Sequence, residues 1–143
     1  VQVMSAGAGV RHSEFNLEAV TTTLFQIWIE PTTRGGAPSW GAKPFPKSDR
    51  SGQFVALASG FAADEGALPI RAEARVLGVT LTTGQTATYD LNPSRHAYLT
   101  LAAGSAEVNG LVLKARDGAA ATGETRLVVT ALSDAEIVLV DAV

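Results

Sequence analysis

The chain has 143 residues, 46% of them hydrophobic and 17% charged, with a net charge of −3; this is the size of one ordinary folded domain with a real core. The Lys and Arg are scattered, their only local cluster being Lys43, Lys47 and Arg50, so neither a nucleic acid nor a membrane is expected as a partner. There is no cysteine, which excludes disulfides, thiolate-held zinc and a thiol nucleophile and fits a cytoplasmic protein.

Taken in order, almost everything reads as short strands between turns. "VQVMS" (1–5) is followed by a glycine-rich turn, then by "VRHSEF" (10–15) and "LFQIWIEP" (24–31). In the last of these Phe25, Ile27 and Ile29 alternate with Gln26, Trp28 and Glu30, the pattern of a strand with unequal faces, and Pro31 ends it for want of an N–H. One weak helical turn is allowed at 17–22. From Thr32 to Gly52 the composition changes to four glycines and three prolines with no periodicity, which predicts an ordered crossing segment pinned by Trp40 and Phe45.

Beyond it come strands at 53–59, 68–74, 75–81, 86–91 and 96–104. "SAEVNGLVLK" (105–114) carries Asn109-Gly110 between two strand-like runs, a hairpin signal because both residues tolerate positive φ. "RDGAAA" reads as a turn, and "TRLVVTAL" and "EIVLVDAV" close the chain. Short strands with turns every 8–12 residues predict an all-β jelly roll, a sandwich or small barrel. Val1 in place of Met, with no charged leader before an apolar core, predicts a piece of something longer.

Common catalytic motifs fail one by one. "GAGVRH" (7–12) has His12 where a dinucleotide fingerprint needs its third glycine. Ser13 points away from His12 on a strand, against a Ser-His pair. His12 and Glu14, at i and i+2, share a face and are free to converge on one ion. Imidazole plus carboxylate suits non-haem iron, manganese, nickel or zinc. Read blandly, both are polar residues of a solvated strand. His96, Trp28 and Trp40 read as a turn-flanking histidine and two packing aromatics.

"MSAGAGVRHSEFN", followed by "LFQIWIEP", "APSW", "RHAYLTLAAGSAEVNG" and "DGAA", resembles the pirin family of bicupins, in particular its bacterial quercetinase-like members. That resemblance implies cupin (RmlC-like) β-barrels, two per polypeptide. It also implies one metal in the first barrel, Fe(II) or another divalent first-row ion, held by three histidines and a glutamate. His12 and Glu14 match the later two ligands, in the stretch G-[VI]-x-H-[SA]-E. The earlier His-x-His pair has no counterpart, and His96 matches no ligand.

By this resemblance residues 1–31 are late strands of the N-terminal cupin, 32–52 the crossing segment and 53–143 the C-terminal cupin barrel. In that barrel the strand "LPIRAEARV" offers Arg71 and Glu73 but no histidine, and no metal is expected there or in the chain alone. The complete protein would open a flavonol-type small molecule as a quercetin 2,3-dioxygenase, with Glu14 as a base. The chain alone is expected to be structural and inactive; the alternative is a regulatory protein-protein interaction module. Expected partners are the missing N-terminal cupin half and a second copy through residues 1–31.

Overall fold

The computed structural model describes residues 1–143. In chain order the strands are β1 (Gln2–Ser5), β2 (Ser39–Ala42), β3 (Val55–Ser59), β4 (Leu68–Pro69), β5 (Ala74–Leu81), β6 (Thr86–Asp90), β7 (His96–Ala103), β8 (Ser105–Val108), β9 (Leu111–Lys114), β10 (Gly118–Thr122), β11 (Arg126–Ala131) and β12 (Ala135–Ala142). One 3-10 helix, Lys47–Arg50, is the only helical element, so no helix is long and apolar enough to cross a membrane.

Period-two alternation decides how these strands assemble. On β12, Ala135, Ile137, Leu139 and Asp141 are buried while the residues between them are half-buried. The strand pairs on one side with β5 and on the other with β7, both antiparallel. It is thus interior to a six-stranded sheet of order β10-β7-β12-β5-β3-β4. A four-stranded sheet, β6-β11-β8-β9, faces it. The inward residues of both, including Val79, Leu99, Leu101, Ala106, Val129, Ile137 and Leu139, form the main core. This is the expected all-β jelly-roll sandwich.

Strand β5 is buried on both faces, which explains why "RVLGVTL" reads as a nearly unbroken apolar run. Its outer residue Val76 packs with Ala58 and Leu68, and Val3, Ile29 and Phe45 from the N-terminal part cover this second cluster. The crossing segment is clamped to the same face. Arg50 Nη2 and Lys47 Nζ each lie 2.6 Å from one oxygen of Glu136, and Gly52 N donates to Thr80 O. A Cβ on Gly78 would meet both Leu57 Cδ1 at 3.0 Å and the Arg50 side chain at 3.4 Å, so glycine is what lets Arg50 lie flat there.

Four local expectations differ from the structure. Residues 10–15 and 24–31 form no strand, because they have no neighbouring strand to bond and the hydrogen bond, not the alternation, makes a strand. Residues 17–22 form no helical turn. Asn16 captures that segment instead, its Oδ1 accepting from Glu18 N and Thr22 Oγ1 while its Nδ2 donates to Val20 O. Of 68–74 only Leu68–Pro69 and Ala74 lie in strands. The segments read as turn or crossing contain two strands, β10 and β2, the latter paired with β1. The Asn109-Gly110 hairpin is present, with φ of 46° and 87°.

Leu139 is fully buried, so Leu139→Ala should destabilise the fold by about 2–5 kcal/mol in urea denaturation.

Candidate functional site

His12 and Glu14 lie in the irregular stretch between β1 and β2, and both side chains are exposed. Gln2 Nε2 on β1 donates to Glu14 Oε1 at 2.5 Å, which ties the carboxylate back to the ribbon. No group of three or more His, Cys, Asp or Glu is placed to hold a metal ion. A first-row metal needs about four donors in fixed geometry, and this chain brings at most two from an exposed segment. Taken alone, its residues do not fit the metal that the resemblance implies.

The backbone around the pair explains its openness. Between residues 10 and 31 no backbone–backbone hydrogen bond forms; Ala8 N to Gly36 O and Thr32 N to Arg71 O close the two ends of the loop. Apolar side chains on it face water, with Leu17 93% and Trp28 88% exposed. Trp40, expected to pin the crossing segment, is also exposed, whereas Phe45 does pack. His96 accordingly sits at a strand start, with its Nδ1 3.1 Å from Thr122 Oγ1.

The main concentration of buried charge is elsewhere, at one end of the sandwich. Asp141, in the inward row of β12, accepts from Arg95 Nε at 2.5 Å and from Tyr89 Oη at 2.6 Å. Arg75, its register partner on β5, has Nη1 3.6 Å from Asp141 and donates through Nε to Asp64 at 2.7 Å. Phe61 lies between the two guanidiniums, with its ring centroid 4.2 Å from Arg75 Cζ and 5.2 Å from Arg95 Cζ. Glu73 approaches Arg95 at 3.8 Å.

Two guanidiniums, Arg75 and Arg95, are shared among the carboxylates of Asp64, Glu73 and Asp141, and the network holds the loop after β3 onto the sandwich. Burial pushes the Tyr89 phenol up, and its bond to the Asp141 carboxylate pushes it further. The single signal in the sequence is an ionic residue on the apolar parity of "EIVLVDAV"; its partners, from β5, β6 and the β6–β7 loop, carry no local mark.

Two of the surface clefts have volumes of about 400 and 300 Å³. One is lined by Thr32, Thr33, Ile70 and Arg71 and the other by Ile29, Pro31, Ala142 and Val143. Neither includes His12 or Glu14.

A jelly-roll sandwich with this strand order is a cupin, and solved structures agree on the fold. YhhW from Escherichia coli superposes with a TM-score of 0.74 at 22% identity, covering 81% of this chain and 48% of its own. A second structure, bacterial pirin YhhW in complex with nickel(II), gives 0.71 at 21% identity, over 78% of this chain and 47% of that one. The sequence profile described as Quercetinase C-terminal cupin domain matches residues 56–142, and the chain belongs to that family.

A pirin-like protein of Caulobacter vibrioides is 65% identical over 142 residues, covering 99% of this chain and 61% of its own length. The quercetin 2,3-dioxygenase of Escherichia coli is 28% identical over 141 residues, covering 98% of this chain and 59% of its own length. The chain therefore spans about three-fifths of the length of these relatives.

Two consequences are measurable. Removing the carboxylate in Asp141→Ala leaves buried Arg95 with only the 3.8 Å approach of Glu73 as a charge partner, at an expected cost of about 3–5 kcal/mol in urea denaturation. The second concerns pH. Burial pushes the Asp64 carboxyl up, but bonds from Ser59 and Arg75 and the Arg75 charge outweigh it and hold it below its usual 3.8. At Glu136 burial is likewise outweighed by Arg50 and Lys47, and the carboxyl stays below 4.5. Folded values below unfolded ones mean stabilisation that is present above 4.5 and lost as pH falls through the lower folded values. The urea midpoint should fall in that acid range, and less steeply in an Asp64→Asn/Glu136→Gln variant.

Proposed function

We propose that this chain is the C-terminal portion of a pirin-type bicupin whose complete form is a metal-dependent quercetin 2,3-dioxygenase. Within it, residues 53–143 are a structural barrel and residues 32–52 the clamped crossing. Residues 1–31 are the last strands of the preceding barrel. The observation that carries this reading is the 10–31 stretch, with strand-like alternation, no backbone–backbone hydrogen bond and exposed Phe15, Leu17, Leu24 and Trp28. Family membership, the name of the Escherichia coli relative and the nickel(II) of a structural neighbour support it.

The missing N-terminal cupin half is then the partner for residues 1–31. Each large apolar side chain it covers contributes about 1.5–3 kcal/mol to that association. A dimer of this chain through the same residues is the competing way to cover them. His12 would offer a ring nitrogen and Glu14 a carboxylate oxygen to Fe(II) or another divalent first-row ion, alongside ligands from the other half. Bound there, such an ion would supply Lewis acidity toward a flavonol-type substrate. In such a completed site Glu14 would be the group to accept the proton of a flavonol hydroxyl. Alone, the chain is structural and does not turn over flavonols.

The test is metal content after anaerobic loading with Fe(II), and separately Ni(II), followed by desalting. Less than about 0.1 ion per chain is expected, because two ligands hold a first-row metal weakly. About one ion per chain, lost in His12→Ala, would overturn the proposal that the site is divided. Limited trypsinolysis gives a second check: cuts at Arg11 and Arg34 should precede any cut within residues 53–143.

A further inference from the structure

Asn109 and Gly110 form the two-residue turn between β8 and β9, with φ of 46° and 87°, and both are exposed. The pairing of β8 with β11 reaches only as far as Val108 opposite Val129. Beyond it the chain turns away, and the Asn109 amide takes the place of the missing strand. Its main-chain N donates to Val128 O at 3.1 Å, and its Oδ1 accepts from Val128 N at 2.8 Å. Its Nδ2 donates to Arg126 O at 3.0 Å and to Glu124 Oε2 at 3.3 Å. The side chain is thus a latch between the β8–β9 hairpin and β11.

The residue that follows is a nucleophile without cover. Gly110 N donates to no group of the protein, and a Cβ on Gly110 would meet no atom within 4 Å. The other two asparagines differ: Asn16 is followed by Leu17, a hindered amide, and Asn92 by Pro93, which has no N–H.

We propose that Asn109 is a self-modifying site: Gly110 N attacks Asn109 Cγ, and loss of the side-chain amide releases the hairpin from β11. The nitrogen loses its proton as the N–Cγ bond forms, the Cγ–Nδ2 bond breaks, and Nδ2 leaves as ammonia, closing a succinimide ring. Water then adds to either ring carbonyl and that C–N bond opens, giving aspartate or isoaspartate. Nothing is oxidised or reduced, and water is the only co-reactant. The latch sets the rate, because an amide held against β11 has to leave Val128 and Arg126 before it turns toward Gly110 N. That opening is local, since β9 is the edge of the four-stranded sheet and β8 its only strand partner.

Either product undoes the latch. Aspartate puts an oxygen where Nδ2 donated, facing Arg126 O and the Glu124 carboxylate, so a donor becomes an unpaired acceptor beside a like charge. Isoaspartate also adds one methylene to the main chain inside a two-residue turn whose length fixes the register of β8 and β9. Leu113, buried from β9, then loses its hold on the core. No reaction within the chain reverses the change, so this edge of the barrel loosens in one direction only.

Peptide mapping by mass spectrometry tests this on the 143-residue chain, incubated folded and in guanidinium chloride. Asn109 should convert while Asn16 and Asn92 stay amides, and about tenfold more slowly in the folded chain, where local opening limits it. In hydrogen–deuterium exchange the converted protein should lose protection in β8 and β9 but not in β12, and Asn109→Asp should reproduce part of that loss. Equal rates in the two states would overturn the latch as the control of the reaction. Asn109 unchanged in the folded chain after about ten unfolded-state half-lives would overturn the site. So would converted protein whose β8 and β9 are as protected as before.

Discussion

A carboxylate in the apolar row of β12 sets the terms for the rest of the sandwich. Asp141 is 2% exposed, and a charge so placed costs several kcal/mol unless paired. Arg95, Tyr89 and Arg75 provide the pairing, and each comes from a different part of the chain. Satisfying one side chain therefore fixes β5, β6 and the start of β7 against β12. Arg75 and Arg95 also hold Phe61, and Arg75 holds Asp64, which fastens the loop after β3 across the same end. Apolar packing supplies most of the stabilisation; the ionic cluster supplies a single arrangement of that end.

The contrast with residues 10–31 is physical. Every strand of the sandwich is hydrogen-bonded to at least one neighbouring strand, whereas the N-terminal stretch has alternation and apolar side chains but no partner for its backbone. It is held to the sandwich by Ile29 and by Phe45 of the crossing segment, both in the cluster over Val76, Val138 and Val140. His12 and Glu14 lie outside that cluster, with Glu14 tied to the β1–β2 ribbon by Gln2. Their exposure and the absence of a third donor belong together, because the strands that would order this stretch are also the source of further ligands in the proposed whole. The clamp of Arg50 and Lys47 on Glu136 then fixes the barrel relative to that stretch.

Much of the sandwich was legible from period-two patterning: β3, β5, β6, β7, β11 and β12 fall where alternation or apolar runs predict them, and Asn109-Gly110 marks its hairpin. What the pattern missed has identifiable causes. Strand β10 is made of Gly, Ala and Thr, too small and uniform to show a face, and only its pairing with β7 makes it a strand. Strand β2 sits in a proline- and glycine-rich stretch and is defined by β1. Residues 10–15 and 24–31 failed in the other direction, because alternation records which face a segment is built to bury and not whether the covering sheet is there. The His12/Glu14 pair was marked by its spacing and then by its resemblance to a family motif, and the structure brings no further donor to it. The ionic cluster around Asp141 was legible in one residue and not in its partners, which long-range topology brings together.

The central claim is that a self-sufficient barrel carries an unfinished strand segment. Hydrogen–deuterium exchange of the 143-residue chain, read by peptide, tests it most directly. Amides of β5, β7, β11 and β12 should be the most protected, while those of 10–31 exchange within the first time points. Slow exchange across 10–31 comparable to β12 would contradict the account, because it would mean that those residues already have the strand partners they are here held to lack.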